Sequence, residues 1–155
     1  MPNENPADAE SHDLVISRLV RAPRAALWRA WTDPALLPQW FGPIGYACKT
    51  KEIDLREGGL WRFDMIGPDG TIWPNRHRYT VMQPTNRLEF LMDGDDDATA
   101  PMQVCVTLTP EAGGTRIVQT ILFPSVAALE GAKAFGAVEL GQTTLAKLEA
   151  MARSL

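Results

Sequence analysis

The sequence predicts an α+β fold, a curved antiparallel sheet of about seven strands around a long C-terminal helix, with two short helices after the first strand. Three observations predict it. A β-rich segment at 14–21 is followed by two helical patterns. Six further β-rich segments then run from 46 to 123, separated by turn chemistry. A helical periodicity closes the chain.

The first strand is read over Leu14–Arg21 and ends at Ala22-Pro23. Pro23 suits a first helical position, and Leu27, Ala30 and Trp31 recur at helical spacing. Asp33-Pro34 offers a cap and a first-turn proline for a second short helix, whose Leu36, Leu37, Trp40 and Phe41 precede the Gly42-Pro43 break. The six later strands are expected at 46–54, 59–66, 71–83, 86–92, 102–109 and 115–123, joined by Gly-, Pro-, Asn- and Asp-rich turns. Pro74 interrupts the third of these, which should therefore have a bulge or an edge there and pair properly only from about Arg76. Ser125 caps one long helix to about Ala152. Its core stripe is read as Ala134, Ala137, Val138, Gly141, Leu145, Leu148 and Ala152, with Leu129, Leu140 and Met151 on a second face available for the short helices or a homodimer contact.

Composition narrows the classes of function. With 45% hydrophobic and 22% charged residues, the 155-residue chain reads as one globular domain over 14–155, large enough to enclose a cavity. Residues 1–13 read as a flexible tail without the basic start and apolar stretch of a secretory signal. No apolar run approaches the roughly 18 residues of a membrane span. A net charge of -4 with no basic run argues against nucleic acid. Cys48 and Cys105 form no CxxC and fit reduced thiols in a cytoplasmic protein. His12 and His77 have no partners at metal spacing, and the acidic run 93–97 lacks the glutamate of a calcium loop, so it is read as a solvated hairpin loop. Neither metal nor cofactor is expected.

Strand alternation sorts the pocket candidates. Trp61, Phe63 and Met65 share one face; so do His77, Tyr79 and Val81, then Leu88, Phe90 and Met92, then Met102, Val104, Val106 and Leu108. Arg62, Asp64, Arg78, Thr80, Arg87 and Glu89 occupy the opposite, solvated face. The inward set is aromatic and methionine-rich, which suits an apolar ligand because thioethers adapt to irregular shapes. With Trp31 and Trp40 from the short helices, the candidate ligand-binding residues are Trp61, Phe63, Met65, His77, Tyr79, Phe90, Met92 and Met102 on the sheet, and Ala134, Val138 and Gly141 on the last helix. The glycine-rich upstream half of that helix predicts either a close approach to the sheet or a cavity of roughly 300–1,000 Å³ beneath Gly141, over Trp61, Phe63 and Tyr79.

The segments APRAALWRAWTDPALLPQWFGP at 22–43, DLREGGLWRF at 54–63, GPDG at 67–70, RLEF at 87–90, FPS at 123–125 and TLAKLEAMA at 144–152 resemble the heat-shock protein 90 ATPase activator homologue family. The resemblance is to its short, single-domain bacterial form, within the START-like, helix-grip superfamily that also holds the birch-pollen allergen and polyketide cyclases. It implies a helix-grip fold whose cavity serves transport, cyclisation, sensing or partner binding in different members. Where the family usually carries Gly-x-Tyr entering the fourth strand, this chain has His77, Arg78 and Tyr79; where a tryptophan is common in the last helix, it has Gly141. Three functions follow as expectations. One is binding of a small apolar molecule between sheet and helix. Another is a cyclase or dehydratase acting on a polyketide-like or aromatic substrate, with His77 as general acid or base near Tyr79; if its ring is buried, a polar neighbour or water should lie beside it. The resemblance itself implies a third, association with a chaperone.

Overall fold

The computed structural model describes residues 11–155, so most of the predicted tail lies outside the described residues. Strand β1 (Asp13–Val20) leads to helices α1 (Arg24–Thr32) and α2 (Leu37–Trp40). Six strands follow: β2 (Ala47–Asp54), β3 (Leu60–Ile66), β4 (Ile72–Gln83), β5 (Arg87–Asp93), β6 (Met102–Glu111) and β7 (Gly114–Leu122). Helices α3 (Val126–Phe135) and α4 (Ala137–Arg153) complete the chain. The sheet is antiparallel throughout, in the order β1-β7-β6-β5-β4-β3-β2. The chain starts at one edge, crosses to the other at β2 and returns by hairpins, so the helices must cover one face.

The short helices bury the side chains that periodicity selected. Leu27, Ala30 and Trp31 of α1 and Leu37 and Trp40 of α2 are all buried, and the Trp40 indole N–H donates to Ala30 O at 2.9 Å. Asp33 caps the turn ahead of α2, accepting from Ala35 N–H at 2.8 Å, but regular helix starts only at Leu37.

Three features depart from the sequence reading. The terminal helix is two helices. Ser125 caps the first as expected, accepting from Ala128 N–H at 3.1 Å, but Gly136 takes φ +96° and ends it. A left-handed glycine closes one helix and starts the next. A stripe projected through that break fails: Ala134 and Val138 are exposed, whereas Leu145, Leu148 and Ala152 beyond it are buried. Strand β4 pairs with β3 along its first half, Pro74 lying opposite Asp64; pairing with β5 starts only at Arg76. Pro74 thus sits where β4 is an edge on one side, which tolerates a missing donor. Finally, a bulge between Tyr79 and Val81 shifts the β4 register, so Met82 rather than Val81 packs on the core.

The outward face carries ion pairs. Asp95 holds Arg62 with both oxygens at 2.9 and 3.0 Å, and Lys51 reaches Asp64 at 3.1 Å. Asp93, even more than Asp95, departs from a solvated loop. Its side chain is fully buried at the end of β5, bound by Arg76 and Arg78.

Candidate functional site

Inside the sheet, the tryptophan and phenylalanine positions form a solid aromatic core. Trp61 stacks on Phe63 with centroids 3.6 Å apart, and Trp31 meets Trp40 edge-on at 4.7 Å. His77 lies among them, pointing inward as the alternation requires. Its ring stacks on Phe90 at 4.3 Å and meets Phe41, Trp61 and Phe63 edge-on. No protein group fills the place of the expected polar neighbour: among the described residues neither ring nitrogen, nor the Tyr79 hydroxyl, nor the Trp31 indole nitrogen has a hydrogen-bond partner. Burial pushes the His77 imidazole down to about 3 and raises the Tyr79 phenol, so both are neutral through the physiological range.

This environment sets an expected result. In a neutral imidazole one nitrogen donates and the other accepts, and each buried unpaired group costs about 1–3 kcal/mol. The stacking a leucine would forfeit is worth about 0.5–1.5 kcal/mol. His77→Leu should therefore stabilise the fold by about 1 kcal/mol, read by denaturant titration. The folded imidazole is lowered relative to an unfolded value of about 6.5, so the native protein loses stability as pH falls between about 6.5 and 3; the variant should lack that component. A destabilised variant would mean that the ring has a partner.

The open volume lies beside this core, between the sheet and the α3–α4 junction. A cleft of about 290 Å³ is floored by Met65, Met92 and Met102, walled by Leu14, Ile16, Gln119, Ile121 and Phe123 on the β1–β7 side, and bounded by Phe41, Gly42, Pro43 and Asn75. Phe135, Ala137, Leu140, Gly141 and Thr144 form its helical wall. A pocket of about 250 Å³ adjoins it through shared Pro43, Met65, Phe135 and Leu140, and another of about 340 Å³ extends along Tyr46, Pro68, Asp69, Thr71 and Trp73. Phe135 lines all three, and it and Trp73 are 72% and 54% exposed. The mouth therefore exposes two aromatic rings, beside Asp69 and Thr71 at its outer end.

Of the sequence candidates, Met65, Met92, Met102 and Gly141 line this cleft. Trp31, Trp40, Trp61, Phe63, His77, Tyr79 and Phe90 are packed in the aromatic core, and none is among its lining residues. Ala134 and Val138 face solvent. The expected cavity beneath Gly141 is also displaced. A Cβ on Gly141 would collide with Ile16 Cδ1, so the glycine serves close approach of α4 to β1, and the cleft opens next to that contact. The alternation Ile117, Gln119, Ile121 on β7 is the sequence signal for the opposite wall that the pocket reading missed.

Among the described residues no group of three or more His, Cys, Asp or Glu gathers to hold a metal. Both cysteines are free thiols; the Cys48 Sγ–H donates to Phe41 O at 3.3 Å, and burial pushes its thiol up to about 12. No described helix is long and apolar enough to cross a membrane.

A seven-stranded antiparallel sheet closed over by a C-terminal helix, with an apolar cleft between them, is the architecture of a START-like, helix-grip protein. The chain belongs to the family described as activator of Hsp90 ATPase homolog 1-like protein, whose model matches residues 21–153. Solved structures resemble it over nearly their full length. A Nitrosomonas europaea protein is 26% identical, with TM-score 0.80 over 92% of this chain and 94% of its own. A Mycobacterium smegmatis protein is also 26% identical, with TM-score 0.82 over 93% and 92%. An Aeromonas hydrophila protein named AHSA1-like shares the fold at 22% identity, with TM-score 0.70 over 92% of each chain. No curated protein matches the sequence.

Proposed function

We propose that this protein binds a small hydrophobic molecule in the cleft between the sheet and the α3–α4 junction. The observation that carries the reading is the cleft's chemistry: three thioethers on its floor, aliphatic and aromatic walls, and no charged residue lining its 290 Å³. Methionine surfaces repack around irregular apolar shapes, and concave apolar pockets bury most of a small ligand's surface. The cyclase-type reading draws no support from His77, which is neutral and outside the lining.

Titration with the uncharged fluorophore N-phenyl-1-naphthylamine tests the proposal. The native protein should enhance its emission saturably. Ala137→Phe, which places a ring in the cleft from the first turn of α4, should weaken the dye at least about tenfold, the equivalent of about 1.4 kcal/mol of overpacking, with the fold retained by circular dichroism. No saturable binding, or binding unchanged by Ala137→Phe, would remove the proposal.

The family description supports a second reading, stimulation of a chaperone ATPase. Ile72, Trp73 and Phe135, exposed on the outer part of the fold, supply the apolar surface that such a contact would use.

A further inference from the structure

Two amides interrupt the inward rows of the sheet. Gln119 lies between Ile117 and Ile121 on β7, opposite Ile16 on one neighbour and Val106 on the other. Asn75 precedes His77 in the inward row of β4, opposite Phe63. Both line the cleft, where the remaining polar side chain is Thr144.

Their hydrogen-bonding capacity is largely free. Asn75 Nδ2 donates to Trp73 O at 3.0 Å, which leaves its Oδ1 to accept. Thr144 Oγ1 donates to Leu140 O, and Gln119 makes no side-chain hydrogen bond among the described residues, offering both a donor and an acceptor. No ammonium, guanidinium, imidazole or carboxylate lines the cleft. Lys147, on α4, is not among the lining residues, and its Nζ is held by the backbone carbonyls of two that are, Gly42 O at 3.1 Å and Pro43 O at 3.4 Å.

Resting on the binding function above, we propose that the ligand class is an uncharged amphiphile, whose apolar body sits on Met65, Met92 and Met102 and whose single hydroxyl, carbonyl or amide pairs with Gln119. An ionic head would surrender its hydration where no charged side chain lines the cleft to pair with it, the one ammonium at its boundary, Lys147, being held by two carbonyls. A neutral polar head exchanges water for the free amide at little net cost.

Displacement of N-phenyl-1-naphthylamine from the whole protein by decanamide, decan-1-ol, decanoate and decyltrimethylammonium at pH 8 separates the cases. The two neutral compounds should displace the dye at concentrations at least about tenfold lower than the two ions. Gln119→Leu should weaken decanamide by about tenfold relative to decane-like apolar binding, read as the ratio of decanamide affinity to the dye affinity measured on the same variant, because one polar pairing is lost. Gln119→Lys, which supplies a counter-charge, should admit decanoate. Decanoate competing as well as decanamide against the native protein, or decanamide unaffected by Gln119→Leu, would overturn the ligand class while leaving cleft binding intact. A native protein that fails to bind the dye overturns both.

Discussion

Asp93→Ala should cost about 3–5 kcal/mol of folding free energy, the largest single-site loss expected outside the aromatic core. The carboxylate is fully buried. Its Oδ1 accepts from Arg76 Nε at 3.0 Å and from Asp95 N–H at 2.9 Å; its Oδ2 accepts from Arg76 at 2.8 Å and Arg78 at 3.0 Å. Deleting it leaves the largely buried Arg76 guanidinium with only Asp96 O and the exposed Asp97 as acceptors, and strips the Asp95 N–H and part of Arg78 of theirs, at the point where β4 begins to pair with β5. Asp97 provides the contrast. It also contacts Arg76, at 2.9 Å, but its side chain is 91% exposed, so Asp97→Ala should fall within about 0.5 kcal/mol of the native protein. Equal losses for the two variants in denaturant unfolding would refute the burial argument. The acid dependence follows. Burial pushes the Asp93 carboxyl up, but Arg76, the Asp95 N–H and Arg78 together outweigh it and leave it below its ordinary value. A lowered folded pKa makes the contribution complete above an unfolded value of about 3.9 and removes it as pH falls through the folded value, so variant and native stabilities should converge in acid.

Asp93 also shows what a linear reading could and could not see. The acidic run 93–97 has the composition of a solvated loop, and only the pairing of Arg76 opposite Asp93 turns its first residue into a buried anchor. Local chemistry determined most of the architecture: turn residues bracket every strand, and the seven strands fall within a residue or two of where alternation put them. Features set by backbone torsion at one residue were less legible. Gly136 at φ +96° splits the terminal helix and the bulge after Tyr79 exchanges Val81 for Met82, because a period loses its phase at an interruption: Ala134 and Val138 flank the break and are exposed, whereas Leu145, Leu148 and Ala152 farther along keep the predicted face. The site suffered most. Inward orientation does not distinguish a packed ring from a cavity wall; Trp61 and Met65 share one strand face, yet only Met65 reaches the cleft. That difference depends on where α3 and α4 leave the sheet uncovered.

The contact that holds α4 in place yields the second large effect. Glu149 on α4 is buried against β1 and accepts from Arg18 at 2.9 and 3.1 Å and from the Arg21 backbone N–H at 2.9 Å. With Gln142 donating to Ser17 O at 3.0 Å and Gly141 seated on Ile16, it ties the helix to an edge strand that has no partner beyond it in the sheet. Glu149→Ala should cost about 2–3 kcal/mol, below the range for a fully buried pair because Arg18 and Arg21 remain partly in water. Glu149→Gln keeps an acceptor for the Arg21 N–H and should cost less. The Arg21 N–H is the main influence lowering the Glu149 carboxyl; burial opposes it, and Arg18 adds to it. The sign again places its stabilisation above an unfolded value of about 4.3, with loss as pH falls through the folded value. The native protein should therefore lose its advantage over Glu149→Gln between neutral pH and strong acid. Because Ile16 and Gly141 both line the cleft, Glu149→Ala should also weaken N-phenyl-1-naphthylamine more than Glu149→Gln does. Unchanged melting of Glu149→Ala at neutral pH would show that packing of Leu145, Leu148 and Ala152 alone seats the helix.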